Sequence, residues 1–456
     1  MDMKIDPTIF KAYDIRGVYP DSLNEEVAFR IARAFSEIIR RENPGKKPAV
    51  VVSYDARLSS PKLLPKIFEG LTFSGIDVCD IGLSSTPTFY FAVSYWNYDG
   101  GIQISASHNP PQWNGFKLVR ARAVPISGEK GIYEIRDMVI KNVFSEISER
   151  GTVHRKEKVV DEVVEYMKRK VDLESIKPFK VVADPANAMG ALDLEAVFKV
   201  LPCNLVRMNF NLDGNFPSHQ PDPFKEENLV PLQKRVKSEK ADLGIATDGD
   251  GDRYFFVDEN GEVIRQEILR GIMAQLALKD NPGATVCYDI RPGRITKEMI
   301  DAVGGKSVMT KVGHSLIKEK MLEVDAVFGG ESSGHYFYKF PFGTFEAPIL
   351  LTLKFLEYLS ISGKTLSQTI APYRKYFHSG EINSEVKDKE AKMREIAEKY
   401  KDGNVWFLDG VSVDYPDFWF NVRPSNTESL LRLNLEAVSR KLMEQKRDEV
   451  LSLIRS

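Results

Sequence analysis

The sequence predicts an α/β protein of three successive domains of similar type, followed by a smaller α+β domain. Short β-branched runs alternate with longer amphipathic segments up to about residue 367, an order typical of strands joined by crossover helices. Beyond that point the strand signals are closely spaced, and one long helical pattern follows them. The length of 456 residues is too great for a single core and agrees with several domains.

Each of the first three blocks contains a strand, a helix and a second strand. We predict these elements at 48–55, 61–75 and 76–82, at 179–185, 189–201 and 203–210, and at 284–290, 294–304 and 306–312. The tail has strand signals at 405–415, 418–424 and 429–437 and a helical pattern at 439–456. The polar segment 143–160 marks the first boundary, and the predicted domains are 1–153, 154–256, 257–367 and 368–456.

Composition and charge argue against several classes of function. Lysine and arginine (63) nearly balance aspartate and glutamate (65), so the net charge is −2 and no global attraction to nucleic acid or an anionic membrane is expected. The most apolar run, 347–359, is interrupted by Lys354 and Glu357 and is too short for a membrane span. The first residues lack an apolar core of signal-peptide length, and Cys79, Cys203 and Cys287 fit neither a disulfide framework nor a zinc site. We therefore expect a cytoplasmic protein with reduced thiols.

The segment "ADLGIATDGDGDR" (241–253) predicts a metal site. A strand pattern runs into three aspartates separated by glycines, Asp248, Asp250 and Asp252. Carboxylates this close repel one another unless a cation lies among them, and their hard oxygen atoms suit Mg²⁺ or Ca²⁺. An EF-hand loop does not fit, because Arg253 stands at the sixth position, where glycine is needed, and a strand pattern follows. A solvated acidic turn is the alternative, while Arg253 indicates an anionic ligand nearby.

The segment "QISASHNPPQWNGFK" (103–117) predicts a reactive loop after a short strand. It contains Ser105, Ser107 and His108. Ser107 and His108 are adjacent, which is poor geometry for a serine and its base, and no G-x-S-x-G turn is present. A serine hydrolase is therefore disfavoured, and a serine that carries a phosphoryl group agrees better with the predicted metal site.

Four further segments contain residue types that bind phosphates or hydroxyls. In "RPSNTES" (423–429) an arginine, two hydroxyls and an amide can surround a phosphate, with a hairpin loop as the alternative. "GGESSGHY" (329–336) contributes glycines for close approach and the polar residues Glu331, Ser333 and His335. The last two segments, "KVGHSLIK" (311–318) and "YDIRG" (13–17), add His314, Lys318, Tyr13 and Arg16. Each of these patterns alone also fits a structural role.

In this order along the chain, "SASHNP", "DGDGDR", "GESSGH" and "RPSNTES" resemble the motifs of the α-D-phosphohexomutase family, in its phosphomannomutase/phosphoglucomutase branch. The resemblance covers essentially the whole chain, with one motif in each predicted domain. It implies three domains with a mixed α/β core and four domains around a central cleft. It also implies an enzyme that interconverts hexose 1-phosphate and hexose 6-phosphate through a phosphoserine and a hexose 1,6-bisphosphate. The alternatives are a phosphoglucosamine mutase and, in another class, a non-catalytic sugar-phosphate-binding protein.

The resemblance also implies a role for each site residue. Ser107 would be phosphorylated, and Mg²⁺ would bind an oxygen of that phosphate together with Asp248, Asp250 and Asp252. Catalytic roles would fall to Arg16, His108, Lys117, Arg253 and His314, with Lys117 or His314 as the base. Substrate contacts would fall to the sugar-reading residues Glu331 and Ser333, to Tyr13, Arg291 and His335, and to a distal phosphate site of Arg423, Ser425, Asn426 and Thr427.

Some positions depart from the family pattern. Arg291 stands where relatives often have lysine, and Ser429 where they often have proline. "ADPANAMG" (183–190) replaces a glycine-rich turn, and "FPFGTFEAP" (340–348) lacks the usual acidic pair. The expected cofactors are Mg²⁺ and, as activator, glucose 1,6-bisphosphate or mannose 1,6-bisphosphate. Small hexose phosphates are the expected partners, and the protein is expected to be a monomer or a small homo-oligomer.

Overall fold

The structure, a computed structural model, describes residues 5–425 and 430–456. It divides into two compact units. The first unit runs up to Ile264 and includes Ser333–Thr369, and the second comprises Arg265–Ser332 and Ile370–Ser456. Across the described part of the chain, every helix is too short or too polar to cross a membrane.

The first sheet contains six strands and lies in the first unit. The strands are β1 Ile15–Val18, β2 Ala49–Tyr54, β3 Asp77–Leu83, β4 Gly100–Ile104, β5 Trp113–Arg120 and β6 Val153–Arg155. The accompanying helices are α1 Glu25–Glu42, α2 Ser60–Phe73, α3 Thr86–Tyr95 and α4 Tyr133–Lys141. The strand order is β1-β5-β4-β2-β3-β6, and β5 runs antiparallel to both β1 and β4.

The core of this first sheet follows from its sequence. The β-branched residues of β2 suit a strand that is buried on both faces, and Val50, Val51 and Val52 are fully buried. Helix α1 begins at a cap in which the Asn24 side chain accepts the Val27 N–H at 3.1 Å. Phe35 of α1 lies in the same buried core as Val50 and Val52. The crossover helices therefore cover the parallel strands.

The second sheet also lies in the first unit. Its strands are β7 Lys180–Asp184, β8 Asn204–Arg207, β9 Leu243–Thr247 and β10 Tyr254–Asp258, and its helices are α5 Val159–Met167, α6 Gly190–Phe198 and α7 Glu226–Glu239. The order is β10-β9-β7-β8, with β10 antiparallel to β9 and the other pairs parallel. The loop 248–253, which holds the three aspartates, joins the adjacent antiparallel strands β9 and β10.

The next elements belong to the second unit. They are α8 Gln266–Asp280, β11 Thr285–Asp289, α9 Arg294–Asp301, β12 Lys306–Thr310, α10 His314–Glu323 and β13 Phe328–Gly330. β11 is parallel to β12 on one side and to β13 on the other. This arrangement places the end of β11 and the start of α10 beside the end of β13.

The chain then returns to the first unit as an antiparallel hairpin with a long helix. These elements are β14 Tyr336–Phe340, β15 Gly343–Glu346 and α11 Pro348–Ser362, and the short helix α12 Leu366–Ile370 follows. Helix α11 is the most apolar segment predicted from the sequence, and Leu353, Phe355 and Leu356 on it are fully buried. It is therefore a core helix of a folded domain.

The tail forms an antiparallel sheet within the second unit. Its elements are β16 Phe377–Glu385, α13 Lys389–Lys399, β17 Asn404–Phe407, β18 Val411–Asp414, β19 Phe418–Pro424, β20 Leu430–Ala437 and α14 Arg440–Arg455. The order is β16-β20-β19-β18-β17. Alternate residues of β20, Leu431, Leu433 and Leu435, point into the buried core with Val450 of α14.

The predicted fold class is confirmed, because the α/β sheets are mixed and the smaller C-terminal sheet is antiparallel. The strand–helix–strand pattern alone predicted parallel layers and did not predict the antiparallel strands β5 and β10. Both follow their neighbouring strand through a loop without a crossover helix, so the chain must reverse direction. The domain boundaries and the central cleft stay predictions.

Candidate active site

Ser107 lies on the loop that follows β4, in the first unit. Its Oγ atom donates to Asp248 Oδ2 at 2.7 Å and lies 3.1 Å from His108 Nδ1. Its backbone is left-handed, with a φ of 49°, and its N–H donates to Ser105 Oγ at 3.0 Å. The residue is only 2% exposed. The loop thus holds one serine hydroxyl against a buried carboxylate.

The three predicted metal ligands converge from the loop between β9 and β10. Asp248, Asp250 and Asp252 are buried, and one carboxylate oxygen of each lies within 4.8 Å of the others. The intervening Gly249 is required, because a Cβ atom there would come 2.2 Å from the Ser107 carbonyl oxygen. The glycine therefore lets the aspartate loop approach the serine loop closely.

Lys117 of β5 provides the positive charge that this cluster needs. Its Nζ atom lies 2.5 Å from Asp250 Oδ2 and 2.6 Å from Asp252 Oδ2. Asp250 Oδ2 also accepts a hydrogen bond of 2.5 Å from Thr86 Oγ1, at the first residue of α3. Sequence reasoning missed Thr86, which no local motif marks.

The charges around the aspartates shift their pKa values in opposite directions. Burial, followed by the charges of Asp252 and Asp250, raises the pKa of Asp248 well above its usual range. Burial also opposes ionisation of Asp252, but Lys117 and His335 outweigh it and hold that pKa well below the usual range. Burial lowers the pKa of Lys117, but the two neighbouring carboxylates outweigh it and raise that pKa well above the usual range. Lys117 is therefore the ammonium form here.

The donor set fits a hard divalent cation. All three ligands are carboxylates, the oxygen donors that Mg²⁺ and Ca²⁺ prefer. Asp250 Oδ1 is buried and has no hydrogen-bond partner among the described residues. An unpaired buried carboxylate oxygen is costly, so the site gains if a cation is bound there.

His335 extends the cluster on the side of the hairpin. Its Nε2 atom lies 3.1 Å from Asp252 Oδ1, and its Nδ1 atom lies 3.0 Å from Ser333 Oγ. The backbone of Arg253 forms an isolated antiparallel bridge with that of His335. Glu346, in the segment that lacks the family's usual acidic pair, brings a buried carboxylate oxygen within 4.8 Å of ligand atoms of Asp252 and His335. The hairpin thus supplies an acidic residue that sequence reasoning missed.

Arg16 and His108 complete the first-unit group. Arg16 donates to Asp14 at 2.8 Å, to the Ala106 carbonyl at 3.3 Å and to Asn109. Burial, followed by the charges of Arg253 and Arg16, lowers the pKa of His108 well below its usual range, so the imidazole is neutral. Tyr13 is half-buried and lies two residues before β1. The structure therefore gathers Ser107, His108, Lys117, the aspartates, Arg16, Arg253, Ser333 and His335 in one unit.

A second polar group, in the second unit, contains the predicted sugar-binding glutamate. Arg291 donates to Asp289 at 2.5 Å and to Glu331 Oε1 at 3.0 Å. The same Glu331 oxygen accepts the Gly313 N–H at 3.0 Å, directly before His314 at the start of α10. The structure thus brings Arg291, Glu331 and the start of α10 together, and Asp289 joins them as a residue that no motif marked.

The predicted distal phosphate site lies on the tail sheet. Arg423 of β19 donates to Glu381 Oε2 at 2.6 Å, and Arg432 of β20 donates to Glu381 Oε1 at 3.2 Å. The two arginines stand opposite each other across the strand pair, where like charges repel, so the Glu381 carboxylate between them is stabilising. Arg432 also lies 3.5 Å from Ser425 Oγ.

Two further predicted residues of this site, Asn426 and Thr427, lie outside the described residues. Glu381 and Arg432 were missed by sequence reasoning. The pairing of β16, β19 and β20 brings these two residues to the site, and no local sequence pattern shows that pairing.

Four family models match the chain in succession. They describe the α/β/α domains I, II and III and the C-terminal domain of phosphoglucomutase/phosphomannomutase, at residues 7–145, 160–261, 267–376 and 381–453. The four matches together span most of the sequence.

Individual proteins are similar over nearly the full length. A phosphomannomutase of Methanocaldococcus jannaschii is 40% identical over 451 residues, covering 98% of each chain. A phosphomannomutase/phosphoglucomutase of Pseudomonas aeruginosa is 38% identical over 446 residues, covering 96% of this chain and 93% of its own. The crystal structure of a phosphoglucomutase/phosphomannomutase family protein from Burkholderia thailandensis has a TM-score of 0.91 and 34% identity, covering 99% of this chain and 97% of its own.

Proposed function

The chain belongs to the phosphoglucomutase/phosphomannomutase family of hexose phosphate mutases, and we propose that it acts on mannose and glucose phosphates through a phosphorylated Ser107. The observation that carries the proposal is the buried Ser107 hydroxyl, 2.7 Å from Asp248 in a cluster of three carboxylates and one lysine. A hydroxyl in this place can receive and return a phosphoryl group next to a cation site.

The proposed reaction has two transfers. In the first, the bond between phosphorus and Ser107 Oγ breaks and a bond forms to the free hydroxyl oxygen of a hexose phosphate, whose proton passes to a base. Ser107 Oγ takes up a proton as it leaves phosphorus, so the products are a hexose 1,6-bisphosphate and an unphosphorylated serine. In the second, Ser107 Oγ loses its proton to a base and bonds to the other phosphorus of the bisphosphate. The bond between that phosphorus and the hexose oxygen breaks, the hexose oxygen takes up a proton, and the isomeric hexose phosphate leaves.

The residues of the first unit would stabilise these transfers by charge. Asp248 accepts a hydrogen bond from the free Ser107 hydroxyl and so orients its oxygen for attack. Arg16 and Arg253 would neutralise the phosphoryl oxygens. Mg²⁺ held by Asp248, Asp250, Asp252 and a phosphoserine oxygen would supply further positive charge there.

The base that takes the hexose proton is Lys117 or His314. In the described state Lys117 is an ammonium, so it would have to lose its proton before it could act as a base. His314 starts α10 in the second unit, next to the Gly313 N–H that binds Glu331. Comparing the pH profiles of Lys117→Met and His314→Asn would discriminate between the two, because removal of the base eliminates the limb that it controls.

Recognition of the substrate is proposed to use the residues of the predicted sugar and phosphate sites. Glu331 and Ser333 would bind ring hydroxyls that mannose and glucose present in either orientation. Tyr13, Arg291 and His335 would assist, and the phosphate that does not react would be held by Arg423, Ser425, Asn426 and Thr427. A hexose 1,6-bisphosphate would serve as activator, because it can phosphorylate an empty Ser107. A cytoplasmic location and the oligomeric state stay predictions.

The test combines phosphate analysis with turnover. We expect mass spectrometry to find phosphate on Ser107 after incubation with glucose 1,6-bisphosphate and Mg²⁺, and we expect turnover of mannose and glucose 1-phosphates. Ser238→Ala on the exposed face of α7 is the matched control for Ser107→Ala. A strong preference for glucosamine 1-phosphate would assign the protein to that branch instead, and an enzyme without phosphate on Ser107 would contradict the proposed mechanism.

A further inference from the structure

Arg57 is a fully buried cation that stands outside every predicted motif. It follows β2, and its side chain is 0% exposed. Its Nε atom donates to Asp55 Oδ2 at 3.1 Å, and Asp55 also accepts the Arg57 N–H and the Ser60 hydroxyl. The remaining guanidinium nitrogens point away from this carboxylate and into the loop that carries Ser107.

The guanidinium binds four carbonyl oxygens of that loop. Nη2 donates to the carbonyls of Ser107 and Asn109, both at 2.6 Å. Nη1 donates to those of Pro110 at 2.7 Å and Trp113 at 3.0 Å. Four carbonyl dipoles that point toward one place repel one another unless a cation lies between them, so this loop shape depends on Arg57.

Two other side chains bind the carbonyls that Arg57 does not reach. Arg16 donates to Ala106 at 3.3 Å, and Gln220 donates to His108 at 2.8 Å. Every carbonyl from 106 to 110 therefore accepts a hydrogen bond from a side chain. Gln220 belongs to the second α/β domain, so the loop is anchored from two domains of the first unit.

The chain segment 214–216 packs against the Arg57 guanidinium and the residues beside it. The Phe216 ring lies 5.1 Å from the Arg57 guanidinium carbon, as in a cation–π contact. A Cβ atom at Gly214 would come 2.4 Å from the Ala56 carbonyl oxygen, so this chain segment packs directly on residues 56–58. Arg57 is thus held on one side by Asp55, on another by Phe216, and on the third by the loop.

We propose that Arg57, assisted by Gln220, is a positioning residue that sets the place of the Ser107 Oγ atom. A left-handed serine costs energy and persists only where its surroundings impose it, and here the surroundings are the carbonyl bonds on either side of it. Arg57 is buried and acts on the reaction only through this loop. The inference rests on the proposed role of Ser107.

The conservative test variant is Arg57→Lys. An ammonium keeps the charge but presents its hydrogens from one nitrogen, so it cannot replace a planar fork that spans four carbonyls. We expect the rate of Ser107 phosphorylation by glucose 1,6-bisphosphate, and the rate of its transfer to glucose 1-phosphate, to fall roughly tenfold to a hundredfold. Both rates should fall together because the same oxygen moves, while the KM for glucose 1-phosphate stays within about twofold.

Arg33→Lys is the matched control. Arg33 is also buried in the first domain, lies 4.6 Å over the Phe73 ring and donates to the Ser145 carbonyl at 3.1 Å, away from the loop. A merely structural role for Arg57 predicts the same result for both variants, a lower melting temperature with an unchanged transfer rate per folded molecule. That result would overturn the inference.

Gln220→Leu provides a second test in case Arg57→Lys does not fold. The change removes the hydrogen bond that the half-buried Gln220 side chain donates to the His108 carbonyl. We expect the transfer rate to fall about threefold to tenfold, with a melting temperature close to that of wild type. A wild-type transfer rate in folded Gln220→Leu and folded Arg57→Lys, or in Gln220→Leu alone if only that variant folds, would overturn the inference. Wild-type protein that takes up no phosphate at Ser107 would instead overturn the proposed function on which it rests.

Discussion

Two charged clusters of this protein have opposite compositions. In the first unit, Asp248, Asp250 and Asp252 lie together, and the Lys117 ammonium lies between Asp250 and Asp252. In the second unit, two arginines of the tail sheet surround the single carboxylate of Glu381. In the first cluster the aspartates outnumber the lysine that contacts them, and in the second the arginines outnumber the glutamate that contacts them.

The difference agrees with the ligand proposed for each cluster. An excess of buried carboxylates favours a cation. Asp250 Oδ1, which has no hydrogen-bond partner among the described residues, could act as a ligand of that cation. An excess of guanidinium groups favours an anion with several acceptor oxygens, such as a phosphate. Internal counter-ions keep both clusters stable in the absence of ligand, because a buried charge without a partner is costly.

The largest expected effect is that of replacing Ser107, the residue of the first cluster that is proposed to form a covalent bond to phosphorus. Ser107→Ala should reduce mutase turnover roughly a thousandfold or more, because it removes the hydroxyl that is proposed to carry the phosphoryl group. The melting temperature should stay close to that of wild type. Turnover measured in phosphate-free protein with added glucose 1,6-bisphosphate is the test, and near-normal activity would exclude Ser107 as the carrier.

The second prediction concerns the cation of the same cluster. Asp250→Asn removes one negative charge, so we expect Mg²⁺ affinity and turnover to fall about a hundredfold. Excess chelator should abolish wild-type turnover, and Mg²⁺ should restore it. Glu157→Gln, a change at an exposed carboxylate, is the control. Calorimetric Mg²⁺ titration provides a readout that does not depend on activity, and full activity in chelator would reduce the triplet to an acidic turn.

The third prediction tests the anion cluster. Arg423→Ala should raise the KM for hexose phosphates roughly tenfold to a hundredfold, since each charge-assisted hydrogen bond contributes about 1.5–3 kcal/mol. Turnover should also come to depend on added glucose 1,6-bisphosphate, because a weakly held intermediate escapes before its second transfer. Arg394→Ala on the exposed face of α13 is the control. If Arg423→Ala matches wild type in KM and in trapped bisphosphate, this cluster does not hold the distal phosphate.

The smallest expected effect concerns an ion pair of the second unit that lies outside its anion cluster. His378 Nε2 lies 2.7 Å from Glu267 Oε1. Burial lowers the pKa of His378, and Arg265 does so too, but Glu267 outweighs them with help from Glu436, and the pKa is raised above its ordinary value of 6.5. The charged form is therefore favoured by folding.

This sign predicts how stability depends on pH. The contribution of His378 is fully present below the pKa of the unfolded chain and is lost as pH rises through the raised pKa of the folded state. We expect the contribution of His378 to the free energy of unfolding to fall as pH rises from about pH 6 to pH 8, and His378→Gln to reduce that slope. Denaturant titrations across this range are the measurement, and an unchanged slope in the variant would show that the pair does not contribute.

The strands and the aspartate loop were predictable because they depend on neighbouring residues. The valines of β2 predict a buried strand by their own shape, and the alternation of aspartate and glycine brings three carboxylates into one loop. The proposed reactive role of Ser107 comes from the family motif around it and stays a prediction. The left-handed backbone of Ser107 was not predictable, since four carbonyl bonds to Arg57 maintain the loop around it.

Local sequence patterns could not identify the residues that complete each site. Thr86 reaches Asp250 across 164 positions of the chain. Glu381 meets Arg432 across 51 positions, and it does so because β16 and β19 both pair with β20. These contacts depend on strand register, and a slip of one residue would turn every side chain to the opposite face.

The sequence by itself therefore determined the fold class, the family and the kinds of chemistry available, because composition, periodicity and short motifs are properties of neighbouring residues. Tertiary structure alone decided which charges face one another: Lys117 between two aspartates, Glu381 between two arginines, and Arg57 beneath the serine loop. The physical reason is that burial in a low dielectric makes a charge depend on the partners that packing brings to it, wherever they lie in the chain.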